Sequence, residues 1–155
     1  MITVSLEGFV RTGSFGPVRL GMSRAQIQEL IGPPVDVGCQ SRKYPRPACW
    51  LYGDVELHFR PREDVMWLIH LENFQTPTAG GNLRLDPWII RGGMTPAEVE
   101  QQLTACGIEF QQMPGASQST TTTLIAGARV QLLFSNHVGP YDPPPGLFAL
   151  GRHLE

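Results

Sequence analysis

The chain has 155 residues, of which 41% are hydrophobic and 17% charged, a composition that fits one ordinary domain and excludes a disordered chain. Twelve Lys and Arg against fourteen Asp and Glu leave a formal net charge of -2, so the overall positive charge that draws proteins to phosphate backbones is missing and no nucleic-acid partner is expected. No stretch approaches the roughly eighteen consecutive apolar residues of a membrane span, and no basic-then-apolar leader follows Met1, so no membrane is expected and the setting is read as cytoplasmic.

In chain order, the first strong signal is Gly21-Met22-Ser23-Arg24-Ala25-Gln26-Ile27, preceded by the apolar run 17–20, which reads as a short strand. Ser23 can accept from the backbone N–H three residues on while Gln26 reaches back, a capping box that predicts a helix start. Ile27, Leu30 and Ile31 form its apolar stripe, and Gly32-Pro33-Pro34 ends it. Downstream, Val55, Leu57 and Phe59 alternate with Asp54, Glu56, His58 and Arg60, the pattern of a half-buried strand. A polar turn, 61–64, then leads to a second apolar run, 66–71, giving an antiparallel hairpin.

The same phrases return 72 positions later. Gly93-Met94-Thr95-Pro96-Ala97-Glu98-Val99 repeats the capping box, with Pro96 at the first helical position, where its missing N–H is no loss. Val99 and Leu103 carry the apolar stripe, Gly107 marks the end, and the apolar run 87–90 precedes the element as 17–20 precedes the first. Val130, Leu132 and Phe134 repeat the alternating strand, and 147–150 the following run. The expected fold is therefore α+β, two repeated halves, each a capped helix packed on a small antiparallel sheet: 1–75, a linker at 76–83, and 84–155, packed together as one unit because units of about 70 residues bury too little alone.

Leu20-Gly21-Met22-Ser23, Ile31-Gly32-Pro33-Pro34 and Trp50-Leu51-Tyr52-Gly53 together resemble the beta-lactamase-inhibitor-protein and BamE/SmpA-like module. That resemblance implies a helical element against a small antiparallel sheet, in tandem copies in the inhibitor proteins, and a scaffold used for holding other proteins.

Motifs for chemistry are sparse. The loop 115–119 lacks the second glycine of a nucleophile elbow and reads as a connection; the glycines of 12–16 lack the Lys-Ser/Thr of a phosphate loop and read as a turn. Cys39, Cys49 and Cys106 are odd in number and contain no C-x-x-C, which points to free thiols in a reducing compartment rather than a disulfide framework or a structural zinc site. Whether Cys39 and Cys49, which bracket a Pro/Arg-rich segment, are paired is left open.

His58, His70, Glu56 and Glu72 are weighed as a proton-moving or metal-binding set and read as polar cross-strand pairs on a solvated face; His137 and His153 have no partner pattern. No cofactor and no metal are expected. With Arg129 and Gln131, that set forms the outward face of the sheet, beside the basic segment 41–47. Trp50, Tyr52, Trp67 and Trp88 read as core or half-buried sheet residues, any of which would serve as an anchor if left exposed. The expected partner-binding residues are Tyr44, Arg46, Trp50, Tyr52, His58 and His70, with the aromatics and arginine as anchors. The expected function is a non-catalytic protein-binding module, immunity-type or inhibitor-like. A small-molecule or metal-dependent enzyme at the cleft between the halves is the alternative, and a structural subunit of a larger assembly a third reading.

Overall fold

Both Gly-Met elements open helices as their hydroxyls predict. In the computed structural model, which describes residues 1–72, 77–115, 120–136 and 139–155, the two capping boxes are complete. Ser23 accepts from Gln26 N–H ahead of helix α2 (Arg24–Ile31), and Thr95 from Glu98 N–H ahead of α3 (Pro96–Ala105). The residues before each cap are also made alike. Gly21 N–H donates to Met66 O at 2.8 Å and Met66 N–H to Met22 O at 2.9 Å. Gly93 N–H donates to Leu147 O at 3.0 Å and Leu147 N–H to Met94 O at 2.8 Å. Each cap is thus pinned to the start of a strand.

The protein is α+β, with three helices among the described residues, an eight-stranded antiparallel sheet and a two-stranded parallel one. The large sheet takes β2 (Asp36–Gly38), β3 (Cys49–Tyr52), β4 (Val55–Phe59), β5 (Met66–Glu72), β7 (Phe110–Pro114), β8 (Thr120–Ala126), β9 (Val130–Ser135) and β10 (Gly146–His153), in the order β2-β3-β4-β5-β10-β9-β8-β7. Its inward residues, Tyr52, Val55, Leu57, Phe59, Ile69, Leu71, Leu124, Leu132, Phe134 and Leu150 among them, form one core with Ile27 and Ile31 of α2 and Val99 and Leu103 of α3. Both helices therefore cover the same face.

Three expectations are corrected. Leu30 is 40% exposed, and the third buried position of α2 is Arg24, held by an ion pair. The apolar runs 17–20 and 87–90 are turns rather than strands: Val18 makes only a single bridge to Phe15, and Trp88 takes φ 59, which breaks any ladder. The described part of 76–83 is a docked segment rather than a spacer, since Thr78 N–H and Oγ1 donate to Asp54 at 2.7 and 3.0 Å and Thr78 O accepts from Asp54 N–H. The expected linker residue Thr76 lies outside the described residues, as do 116–119 of the connecting loop and His137.

The start of the chain, among other elements, escaped the sequence reading. β1 (Ile2–Ser5) pairs in parallel with β6 (Leu83–Asp86), and α1 (Leu6–Thr12) follows it. α1 is capped by Ser5 at one end and by left-handed Gly13 at the other, and buries Leu6, Phe9 and Val10. Ser5 ahead of an i, i+3, i+4 apolar set and Gly13 just beyond were signals enough. Val10 O accepts from Ala128 N–H at 2.9 Å, and Gly127, at φ 55, lies so close to that carbonyl that a Cβ would overlap it. Here glycine is required by both backbone and space.

Truncation tests this packing. Thr95→Ala is expected to cost about 1 kcal/mol through the lost cap, and Leu132→Ala roughly 2–5 kcal/mol through transfer and cavity terms. Denaturant melts showing Leu132→Ala as stable as its parent would place that strand's inner face elsewhere.

Candidate functional site

The face away from the helices is laid out by strand register. One row of paired positions crosses all eight strands: Asp36, Leu51, Glu56, His70, Gly151, Gln131, Ile125 and Gln111. Paired residues in a ladder point to the same side. Flanking rows bring Cys49, His58 and Leu68 together on one side, and Glu72, Ala149, Leu133, Thr123 and Met113 on the other. Leu51, Leu68, Leu133 and Ile125 are half-buried and Met113 is 39% exposed, so apolar surface runs through the polar positions. At the centre, Gly151 has no side chain, and a Cβ there would meet Ile69 O and the His70 ring, so the His70 side chain packs close against the glycine.

The expected site residues divide. His58 and His70 lie on this open face, in separate pairs within their own strands: His58 Nε2 is 2.7 Å from Glu56 Oε2, and His70 Nε2 is 3.0 Å from Glu72 Oε1. The two histidines and two carboxylates are not one cluster. Trp50 and Tyr52 are corrected from lip to core, because their positions on β3 alternate inward. Trp50 stacks edge-on with Phe59 at 5.1 Å, and the Tyr52 hydroxyl donates to Gly32 O at 2.8 Å, satisfying the carbonyl end of α2. Burial pushes the Tyr52 phenol up to about 12, so it stays a donor. Arg129 leaves the face as well: it sits in the β8–β9 turn at φ 67 and pairs with Glu155.

Trp67 takes the place that Trp50 vacates. A register shift between His58 and Phe59 leaves it unpaired on β5, half-buried, with its ring edge-on to His58 at 6.4 Å. Period-two alternation could not have found it, because a bulge resets the period.

Tyr44 and Arg46 form a lip at the same end of the sheet. The Arg62 guanidinium donates to the Tyr44 hydroxyl at 3.2 Å, and the Lys43 ammonium lies 5.4 Å from the Tyr44 ring centroid. Buried Arg24 holds the lip in place: its NH2 donates to Pro47 O and its NH1 to Asp64 Oδ1, both at 2.7 Å, with the guanidinium 4.1 Å over the Phe59 ring. Partial burial raises the Asp64 carboxyl, but hydrogen bonds from Arg24 and the charges of Arg24 and Arg46 outweigh this and hold it below its ordinary range.

Cys49 is buried, and desolvation, the Glu56 charge and Cys39 push its thiol up to about 12. A thiol so protonated at neutral pH is no activated nucleophile. A depression lined by Leu20, Arg129, Arg152, His153 and Glu155 holds charges already engaged, with Arg129 on Glu155 and Arg152 Nε donating to Ala128 O at 2.7 Å. Comparison with known proteins yields no matching family model, no matching curated protein and no matching solved structure.

Arg24→Ala is expected to cost roughly 2–4 kcal/mol, as for loss of a largely buried charged hydrogen-bond partner, measured by denaturant melts. The lowered Asp64 value also gives a pH dependence. The stabilisation is complete above the unfolded value near 4 and is lost as pH falls through the lower folded value. Asp64→Asn is therefore expected to be less stable near neutrality and to show a flatter stability curve between about pH 5 and pH 2; an unchanged curve would mean the ion pair does not contribute.

Proposed function

We propose that the chain is a non-catalytic protein-binding module, built from two repeats of one helix-on-sheet unit, that occupies a protein partner with its open sheet face and basic lip. The observation that carries this reading is the continuous row across eight strands, with half-exposed Leu51, Leu68, Leu133, Ile125 and Trp67 among polar groups and helices confined to the other face. A broad surface with an apolar centre and charged rim suits a protein better than a small molecule. Tyr44, Arg46 and Arg62 add cationic and aromatic contacts at one end, matched to an acidic segment of the partner.

The repeat is supported by the twin capping boxes and by the same pair of hydrogen bonds from Gly21-Met22 to Met66 and from Gly93-Met94 to Leu147. An immunity-type or inhibitor-like role follows from the absence of a need for chemistry: shape and charge on a rigid sheet suffice. No described helix is long and apolar enough to cross a membrane, and the cytoplasmic reading rests on three cysteines that are all free thiols.

The test is a partner identified by affinity capture from the native source, followed by calorimetry with purified components. Trp67→Ala, Tyr44→Ala and Arg46→Ala are each expected to weaken binding, the strongest by about 2 kcal/mol or more, while melting stays within a few degrees of the parent. Full affinity in all three, with an intact fold, would place the interface elsewhere.

A further inference from the structure

The open face gathers one set of metal-ligating atoms from two strands. Cys49 Sγ, Glu56 carboxylate and His58 Nε2 all lie within 4.8 Å of one another. Cys49 and His58 are directly paired across β3 and β4, and Glu56 is two residues before His58 on the same face, so the sheet itself fixes the three. A fourth donor approaches from β2. Cys39 follows Gly38, the residue paired with Cys49, and takes φ 59, a left-handed conformation that non-glycine residues seldom adopt. Cys39 is exposed and stands outside the group of three, one residue beyond the β2 position paired with Cys49. Backbone strain of this kind persists where surroundings impose it, and it gathers at functional sites.

We propose that Cys49, Glu56 and His58, with the neighbouring Cys39 recruited as fourth ligand, bind one thiophilic divalent cation, of which Zn²⁺ best fits the donor set. Two thiolates, an imidazole and a carboxylate make a four-coordinate set of the borderline-soft kind that zinc takes. The 3.7 Å between Cys49 Sγ and His58 Nε2 is close to the roughly 3.6 Å spanned by tetrahedral ligands with Zn–S about 2.3 Å and Zn–N about 2.0 Å. The Glu56–His58 contact, a hydrogen bond at 2.7 Å, opens by roughly half an ångström when both ligate, by rotation of a partly exposed carboxylate.

Binding displaces protons and changes no oxidation state. The Cys39 and Cys49 thiols release theirs to solvent, and His58 ligates through its Nε2 lone pair with its proton on Nδ1. The burial that keeps Cys49 protonated is offset by the positive ion, which stabilises the thiolate. Bound metal would tie the 39–49 loop, which carries the Tyr44 and Arg46 lip, to the sheet at both ends. The site is independent of the partner-binding reading.

Cobalt(II) is the probe. The full chain, kept reduced with a phosphine, is titrated with Co²⁺ and read for the thiolate-to-cobalt charge-transfer band in the near ultraviolet and the intense visible bands of a tetrahedral site. The expected result is saturation at one ion per chain and bleaching by one equivalent of Zn²⁺. Cys39→Ser and His58→Gln are expected to weaken Co²⁺ binding at least tenfold, whereas Cys106→Ala and His70→Gln, outside the cluster, leave the spectrum unchanged. Cys39 and His58 are chosen because both side chains are at least partly exposed, and circular dichroism confirms the variants are folded. No charge-transfer band in the folded, reduced parent would overturn the proposal. So would a band that survives both substitutions or disappears with Cys106→Ala.

Discussion

Strands β5 and β10 meet antiparallel through five paired positions, from Glu72 and Ala149 to Leu68 and His153, and this seam joins two groups of four strands into one sheet. Everything else in the fold leans on it. A four-stranded sheet with one short helix would bury too little apolar surface to stand alone. Joined at the seam, Ile69 and Leu71 of β5 and Leu150 of β10 become part of a core that runs from α2 to α3. On the open side of the seam Gly151 and Ala149 are small, with the His70 ring packed close against Gly151.

One further contact crosses that seam, and a second ties the segment after β5 back to the first half. Val10, ahead of the first Gly-Met element, gives its carbonyl to the β8–β9 turn through Ala128 N–H, and Thr78, ahead of the second, gives its own to the β3–β4 turn through Asp54 N–H, both at 2.9 Å. The first reaches the second half of the chain; the second folds back on the first. The parallel pair β1 and β6 completes the tie by joining the segments that lead into both. The ends of the central hairpins are thereby fixed, which holds the open face rigid. A rigid face binds without the ordering cost that a mobile one incurs.

The open face has two regions of different chemistry. The β2–β3–β4 end concentrates Cys39, Cys49, Glu56, His58 and Trp67, with the Tyr44 lip beyond, whereas the β9–β8–β7 end offers Gln131, Leu133, Ile125 and Met113. Arg24 links the first of these to the core, because one guanidinium reaches the lip, the β4–β5 turn and the Phe59 ring together. A charge buried in this way contributes to position more than to net stability. The same arginine explains why α2 tolerates an exposed Leu30: its buried face is completed by a cation held between an aromatic ring and a carboxylate.

The sequence by itself determined the local structure. Ser23 with Gln26 and Thr95 with Glu98 are capping boxes whose partners lie three residues away, and the Val55-Leu57-Phe59 and Val130-Leu132-Phe134 alternations fix which face turns inward. Such signals are readable because cause and effect are neighbours in the chain. The strand order, the seam, the crossing of α1 to the far half and the inward turn of Trp50 and Tyr52 were decided only by tertiary structure. Register is set by which strands pair, and a single shift between His58 and Phe59 sends Trp67 outward against the alternation. The meeting of Cys49, Glu56 and His58 has the same origin: residues up to nine positions apart become neighbours because β3 and β4 pair in one register, a fact no spacing in the chain records.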